Sequence, residues 1–357
     1  MRSPAIFRHL TALAVRAVAV LVVLCGCVVA LPTAASATPA TGSICSQVRF
    51  PVTLAGTTSV QVSGLLCVPV TGPAGHPLQI LLAGATYDKQ YWLLPSTPGG
   101  PSWVSWMAAH GQPTLAIDRP GTGDSGRPAA DLLTMASEAD VVHQIVGQLR
   151  AGAVRGRHFG RIVLVGHSVG TSVALVEDAT YHDVDGLVAS GFLHSYGPKL
   201  GTLFSDMQPA AQDPVFAGTG APDGYLTTLP NTRADFFYDP ADSSQFTVAL
   251  DELTKSTMTT GEENTIPAAA DPAISQAVSV PVLAAVGEND QLFCGGPLSF
   301  PCDNAAAIVA HEKSDYSPAA QLEGYVLPGA GHVLNLQKNS ALWFAAATDW
   351  LNRHFPA

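Results

Sequence analysis

Gly166-His167-Ser168-Val169-Gly170 has the spacing G-x-S-x-G, and it stands between a strand-like run, Arg161–Gly166, and a helical stretch, Ser168–Tyr181. Strand, glycine-flanked serine and helix together are the context of a nucleophile elbow. The turn is so tight that the serine takes a strained backbone conformation, and glycines two before and two after relieve the crowding. The hydroxyl of Ser168 then stands at the carboxyl edge of a sheet, with the amide of Val169 aimed at a developing oxyanion. The chemistry on offer is nucleophilic attack on an acyl carbon. An ordinary β–α turn is the rival reading, and the flanking strand and helix argue against it.

A second glycine-rich stretch competes. Asp118–Pro128, DRPGTGDSGRP, holds G-x-G-x-x-G at Gly121, Gly123 and Gly126, and also the G-D-S-G of trypsin-like proteases. A dinucleotide fingerprint needs glycines that open a helix and an acid at the next strand end, about 20 residues on. Here Arg127-Pro128 intervene and helical periodicity begins only near Leu132. The protease reading needs an all-β setting. The stretch therefore reads as a structural turn, with Gly121 and Gly123 free to take positive φ and Asp124 and Ser125 bonding nearby backbone.

Both turns need a scaffold to hold them. Gln47–Leu54 and Ser59–Val70 alternate as an antiparallel hairpin. Leu78–Ala83, Pro113–Asp118, Arg161–Gly166, Asp185–Ser190, Val280–Val286 and Leu322–Leu327 are short apolar runs, as expected of strands buried on both faces. Helices are predicted over Trp103–His110, Leu132–Leu149, Ser168–Tyr181, Ala305–Glu312 and Ser340–Phe355. The alternation implies an α/β fold with a mostly parallel central sheet and helices on both faces. Between His194 and Ala277 no strong strand pattern occurs, and the segment carries many aromatic, Pro, Asp and Thr residues. Such an insertion reads as a helical lid.

The N-terminus reads as a secretory signal: Arg2, Arg8 and Arg16, an apolar run from Ala17 to Leu31, then Ala35-Ser36-Ala37. A lipoprotein box at Leu24–Cys27 and an uncleaved anchor are the alternatives. Cleavage near Ala37 leaves about 320 residues, enough for one large domain, and losing three Arg takes the net charge from −11 to −14. That acidity argues against nucleic acid and anionic membranes as partners. Cys45, Cys67, Cys294 and Cys302 then remain, an even number suited to disulfides. Three pairings are open; Cys45–Cys67 and Cys294–Cys302 close the shortest loops. No C-x-x-C or H-x-x-x-H supports zinc.

On these motifs the chain resembles the α/β-hydrolase fold family from about Leu78 to the C-terminus, and Asp118–Ser125 resembles that family's structural D-x-x-G-x-G-x-S loop. The resemblance implies an order of nucleophile, acid, histidine. Gly287-Glu288-Asn289-Asp290 resembles the family's acid turn, which makes Asp290 the acid, with Glu288 and Asp303 weaker candidates. Gly331-His332, after the last strand, supplies the base. Alignment of Ala83-Gly84 to the family's His-Gly places the second oxyanion amide, beside that of Val169, at Ala85, with Thr86 next. Tyr87, Trp92, Phe236 and Phe237 are expected to line an apolar substrate pocket. His167 joins them as a neighbour of the nucleophile, although the elbow directs its side chain elsewhere.

The implied domains are a signal peptide over 1–37, hydrolase core over 38–193 and 278–357, and a cap over 194–277. The implied activity is that of a secreted serine esterase acting on moderately hydrophobic esters, with no metal or organic cofactor and a small-molecule partner. A non-hydrolytic enzyme of secondary metabolism and a prolyl-type aminopeptidase are the alternatives. The aminopeptidase would need an amine-binding carboxylate such as Asp235, Asp239 or Asp242.

Overall fold

A computed structural model describes residues 42–70 and 75–357. The expected signal segment and its cleavage point at Ala37 lie outside the described residues.

The central sheet runs β1-β2-β4-β3-β5-β6-β10-β11. Its strands are β1 (Ser43–Leu54), β2 (Thr58–Pro69), β3 (Leu78–Leu82), β4 (Thr114–Ile117), β5 (Ile162–His167), β6 (Gly186–Ser190), β10 (Val282–Gly287) and β11 (Glu323–Leu327). β1 pairs antiparallel with β2, and β2 antiparallel with β4. The other neighbours are parallel. Every residue of β3, β4, β5, β6 and β10 is buried, because helices cover both faces. The second half of β1 alternates instead, with Val48, Phe50, Val52 and Leu54 turned inward.

The helix expected from Leu132 starts three residues later and spans Met135–Arg150. Thr134 is the reason. Its side chain accepts from the amide of Ser137 while the Ser137 hydroxyl accepts from the amide of Thr134, a reciprocal cap that sets the first turn. Ala130–Leu132 forms a 3₁₀ turn before it. The other main-sheet strands and helices fall within two residues of their expected ends, except β1, which begins four residues earlier.

The segment between β6 and β10 departs from expectation. It is not wholly helical. β7 (Met207–Pro209), β8 (Tyr225–Thr228) and β9 (Met258–Thr259) make a small antiparallel sheet in the order β7-β8-β9. Strands of two to four residues are too short for alternation to register in sequence. Helices Gln245–Leu253 and Thr260–Ala269 complete much of the segment.

Among the described residues two disulfides are present, Cys45–Cys67 and Cys294–Cys302. The first joins residues directly opposite in the β1–β2 pair. Among the described residues no helix is long and apolar enough to cross a membrane. The loop after β4 is a built turn. The carboxylate of Asp118 accepts the amide of Asp124 at 2.9 Å and Lys89 Nζ at 2.6 Å. A Cβ at Gly123 would collide with that carboxylate, so this position admits only glycine.

Candidate active site

The turn from β5 into helix Val169–Tyr181 holds Ser168 at φ 54°, ψ −121°, a conformation that L-residues adopt only when their surroundings impose it. Its amide donates to the carbonyl of Ser190 at 2.8 Å, and its carbonyl accepts from Thr171 at 2.8 Å. Both elbow glycines are sterically required. A Cβ on Gly170 would meet the carbonyl of Leu82, and one on Gly166 the backbone of Thr171. Val169 opens the helix, so its amide belongs to the group with no intrahelical acceptor.

The turn after β10 carries Asp290, which has no exposed surface. Its Oδ2 lies 2.9 Å from Nδ1 of His332, and its Oδ1 accepts the amide of Leu292 at 2.9 Å. The amide of Asn289 donates to the carbonyl of Ala330 at 2.8 Å, tying the acid turn to the loop that bears His332. Glu288 and Asp303 are exposed instead. The Cε1 edge of His332 rests against Gly191, where a Cβ would sit 3.1 Å away. Gly191 follows Ser190, the residue that receives the Ser168 amide. The imidazole, the acid and the elbow serine thus gather at one edge of the sheet.

His167 lies beneath this group. It is fully buried, stacked on Tyr91 with ring centroids 4.3 Å apart, and its Nε2 donates to the carbonyl of His332 at 3.2 Å. Burial, reinforced by the neighbouring His332, pushes its pKa well below the ordinary imidazole value, so the ring is neutral. Its Nδ1 finds no hydrogen-bond partner among the described residues. A Cβ on Gly84 would lie 2.9 Å from that nitrogen and 3.0 Å from Cβ of Ser168. Gly84 is therefore what lets the loop after β3 close onto the elbow.

That loop, Gly84 to Tyr87, is gripped by two buried guanidinium groups. From one side, Arg119 donates to the carbonyls of Ala83 at 2.9 Å and Gly84 at 3.2 Å. It also pairs with Glu138 at 2.6 Å and Glu262 at 2.5 Å. From the other side comes Arg233, with no exposed surface. It donates to the Thr86 hydroxyl at 2.8 Å and pairs with Asp251 at 2.9 Å. Its guanidinium covers the rings of Tyr87 and Phe237 at 4.1 and 4.9 Å. Asp251 is also the acceptor for the hydroxyls of Tyr87 and Tyr238, each at 2.9 Å. Thr86 sits at φ 59°, unusual for a β-branched residue, and the amide of Ser256 pins its carbonyl at 2.8 Å.

The expected pocket residues separate into two groups. Phe237 lies between Tyr87 and His332, with centroid separations of 5.7 and 5.8 Å, and Phe236 adjoins it at 6.4 Å. Trp92 is elsewhere: it is fully buried and packs on Trp103, a core residue rather than a pocket wall. His167 likewise offers no accessible surface. Phe293 takes a place that sequence did not suggest, its ring parallel to His332 at 5.8 Å. Arg119, Arg233, Asp251, Glu138 and Glu262 were also missed. No short motif joins them; they meet only after folding. Of the carboxylates considered for an amine subsite, Asp235 is exposed, and Asp239 accepts from Ala241 at 2.8 Å and from Asn289 at 2.8 Å.

The sequence profile described as "Alpha/beta hydrolase family" matches residues 79–347. No curated protein sequence matches the chain. Among solved structures, a soluble variant of the monoglyceride lipase of Saccharomyces cerevisiae superposes with a TM-score of 0.60 at 14% identity, covering 87% of this chain and 96% of that one. The monoacylglycerol lipase of Paleococcus ferrophilus gives 0.56 at 15% identity, covering 87% and 99%. A carboxylesterase of Bacillus subtilis gives 0.53 at 16% identity, covering 85% and 92%. At these identities the likeness is one of fold.

Proposed function

The chain belongs to the alpha/beta hydrolase family, and from that premise we propose that it is a secreted serine hydrolase of carboxylic esters, working through an acyl-enzyme on Ser168. The observation that carries the reading is the buried His332–Asp290 pair, 2.9 Å apart and beside Gly191, together with an elbow that holds Ser168 at φ 54°.

In this mechanism Ser168 Oγ attacks the ester carbonyl carbon and His332 Nε2 takes its proton. The imidazolium so formed is stabilised by Asp290, which also holds Nδ1 protonated. The tetrahedral oxygen is received by the amide of Val169 and an amide of the Ala85–Thr86 turn. His332 passes its proton to the departing alcohol, which leaves the acyl group on Ser168. A water, deprotonated by the same imidazole, then releases the acid. Residues 194–277 act as the cap, and Phe236, Phe237 and Tyr87 form the apolar wall that meets the acyl or alcohol part. An open apolar groove of about 790 Å³ among Tyr196, Leu200, Phe204, Ile266 and Leu298 is lined by none of Ser168, Asp290, His332, Tyr87, Phe236 or Phe237, and the reading does not rest on it. Secretion is supported by the two disulfides and by the basic, then apolar, N-terminal sequence.

The test is hydrolysis of p-nitrophenyl acetate, butyrate and octanoate by the mature protein beside Ser168→Ala. A loss of ~10³-fold or more is expected, the usual consequence of removing a triad member. Absence of turnover on every ester, with no labelling of Ser168 by a fluorophosphonate, overturns the reading and leaves the non-hydrolytic alternative in its place.

A further inference from the structure

Away from the elbow, helices Met135–Arg150 and Val169–Tyr181 pack side by side, and three side chains converge where they meet. His143 comes from the first helix, Glu177 from the second and Asp183 from the chain just beyond it. A ligating atom of each lies within 4.8 Å of the others. His143 Nδ1 is 2.7 Å from Asp183 Oδ2.

Glu177 makes the cluster unusual. It is fully buried, yet neither carboxyl oxygen has a hydrogen-bond partner among the described residues, and Asp183 Oδ1 is buried without one as well. Buried carboxylate oxygens are ordinarily paired, since leaving them unsatisfied carries the full cost of their lost hydration. A proton is one remedy, and burial together with Asp183 does push the Glu177 carboxyl up to about 10. A proton shared between Glu177 and Asp183 would satisfy two of the three oxygens and leave one without a partner. A cation would draw on a carboxylate oxygen of Glu177, one of Asp183 and a ring nitrogen of His143 at once.

We propose that His143, Glu177 and Asp183 form a binding site for a divalent first-row cation of the Zn²⁺ type. One imidazole and two carboxylates suit zinc better than calcium or magnesium, which favour all-oxygen shells. Tetrahedral zinc ligands stand ~3.4 Å apart, so the three groups need only a small adjustment to close on the ion. His143 and Asp183 keep 40% and 21% of their side-chain surface exposed, which leaves an entry path and room for a water as fourth ligand. Tyr181 stacks on His143 with centroids 4.0 Å apart and donates to Asp140 at 3.0 Å, fixing the plane of the ligating ring. Glu177 lies nine residues along the helix from Ser168, ~13 Å away. The ion therefore clamps the two helices together and takes no part in the chemistry at the elbow. No metal-binding spacing in the sequence announces it, because the ligands come from separate elements.

The experiment uses tag-free mature protein stripped with EDTA, dialysed against Zn²⁺ and assayed for bound metal. Wild type, His332→Gln and His143→Gln are compared. One zinc per chain is expected in wild type and in His332→Gln, and none in His143→Gln, whose partly exposed site tolerates the change. Thermal unfolding provides a second reading: zinc at a hundredfold excess over Kd is expected to raise the Tm of wild type by ~5 °C and leave that of His143→Gln unmoved. No zinc retained by wild type, or equal retention by His143→Gln, overturns the proposal. In that event Glu177 is simply a protonated acid. Ester hydrolysis plays no part in these readings, so failure here leaves the serine mechanism untouched.

Discussion

The two flanks of the elbow are immobilised by different physics. On the acid side, Asp290 and His332 sit on turns laced by backbone hydrogen bonds, and Cys294–Cys302 closes a loop just beyond the acid. On the side proposed to hold the oxyanion, the Gly84–Tyr87 loop is held by two guanidinium groups, Arg119 on the carbonyl of Gly84 and Arg233 on Thr86, with the Ser256 amide on the Thr86 carbonyl. The first arrangement joins two turns, those of Asp290 and His332, 42 residues apart in the chain. The second reaches further, 147 residues from Arg233 to Thr86 and 143 from Arg119 to Glu262, and both its cations are buried. A backbone-laced turn loses little when one tie is cut. A buried ion pair loses a great deal, because the abandoned partner is left charged and dry.

The largest effect expected is therefore on the Gly84–Tyr87 side. Arg233→Met leaves Asp251 unpaired in the interior and should destabilise the protein by about 3–5 kcal/mol, measured by urea unfolding. The double variant Arg233→Met/Asp251→Leu should recover most of that loss. Equal instability of the single and double variants would show that packing, not charge, holds this flank. On the acid side, Cys294→Ser/Cys302→Ser should cost about 2.5 kcal/mol by the loop-entropy relation, while kcat on p-nitrophenyl butyrate stays within a few-fold of wild type. A collapse of kcat in that variant would mean the disulfide, rather than the backbone bonds, positions Asp290. His167 joins the flanks from below and gives the smallest effect. Its folded pKa is depressed by burial, so in the unfolded chain it takes up a proton first as pH falls. Its share of stability is present above about pH 6.5 and drains away below that, by up to about 1.4 kcal/mol per pH unit. Urea midpoints at pH 7 and pH 5 should thus differ less in His167→Gln than in wild type.

The same contrast explains what the sequence disclosed. β3 and β5 were legible because five or six consecutive buried positions read as unbroken apolar runs. Ser168, Asp290 and His332 stand in short turns whose glycines leave a local signature. Nothing local marks Arg119 or Arg233. Their partners, Glu262 and Asp251, are separated from the loop they secure by most of the cap, and a single Arg looks like any surface charge. Trp92 misled for the opposite reason: an aromatic near the site reads as pocket, but its burial against Trp103 is decided by tertiary packing. β7 to β9 escaped because hydrophobic alternation needs more residues than those strands contain.

Arg119 also bears on how exchangeable the proposed cap would be. Within residues 194–277, Arg233 and Asp251 neutralise one another and would travel together to any new host. Glu262 would not: its countercharge, Arg119, belongs to the core and is shared with Glu138, whose carboxyl is pushed well above its ordinary pKa by burial. A cap grafted from a relative without an acid at this point would leave Arg119 and Glu138 matched one to one. A relative's core without the arginine would meet Glu262 as a bare buried anion. Modularity in this architecture is thus asymmetric. The core can accept a foreign cap more readily than this cap can accept a foreign core.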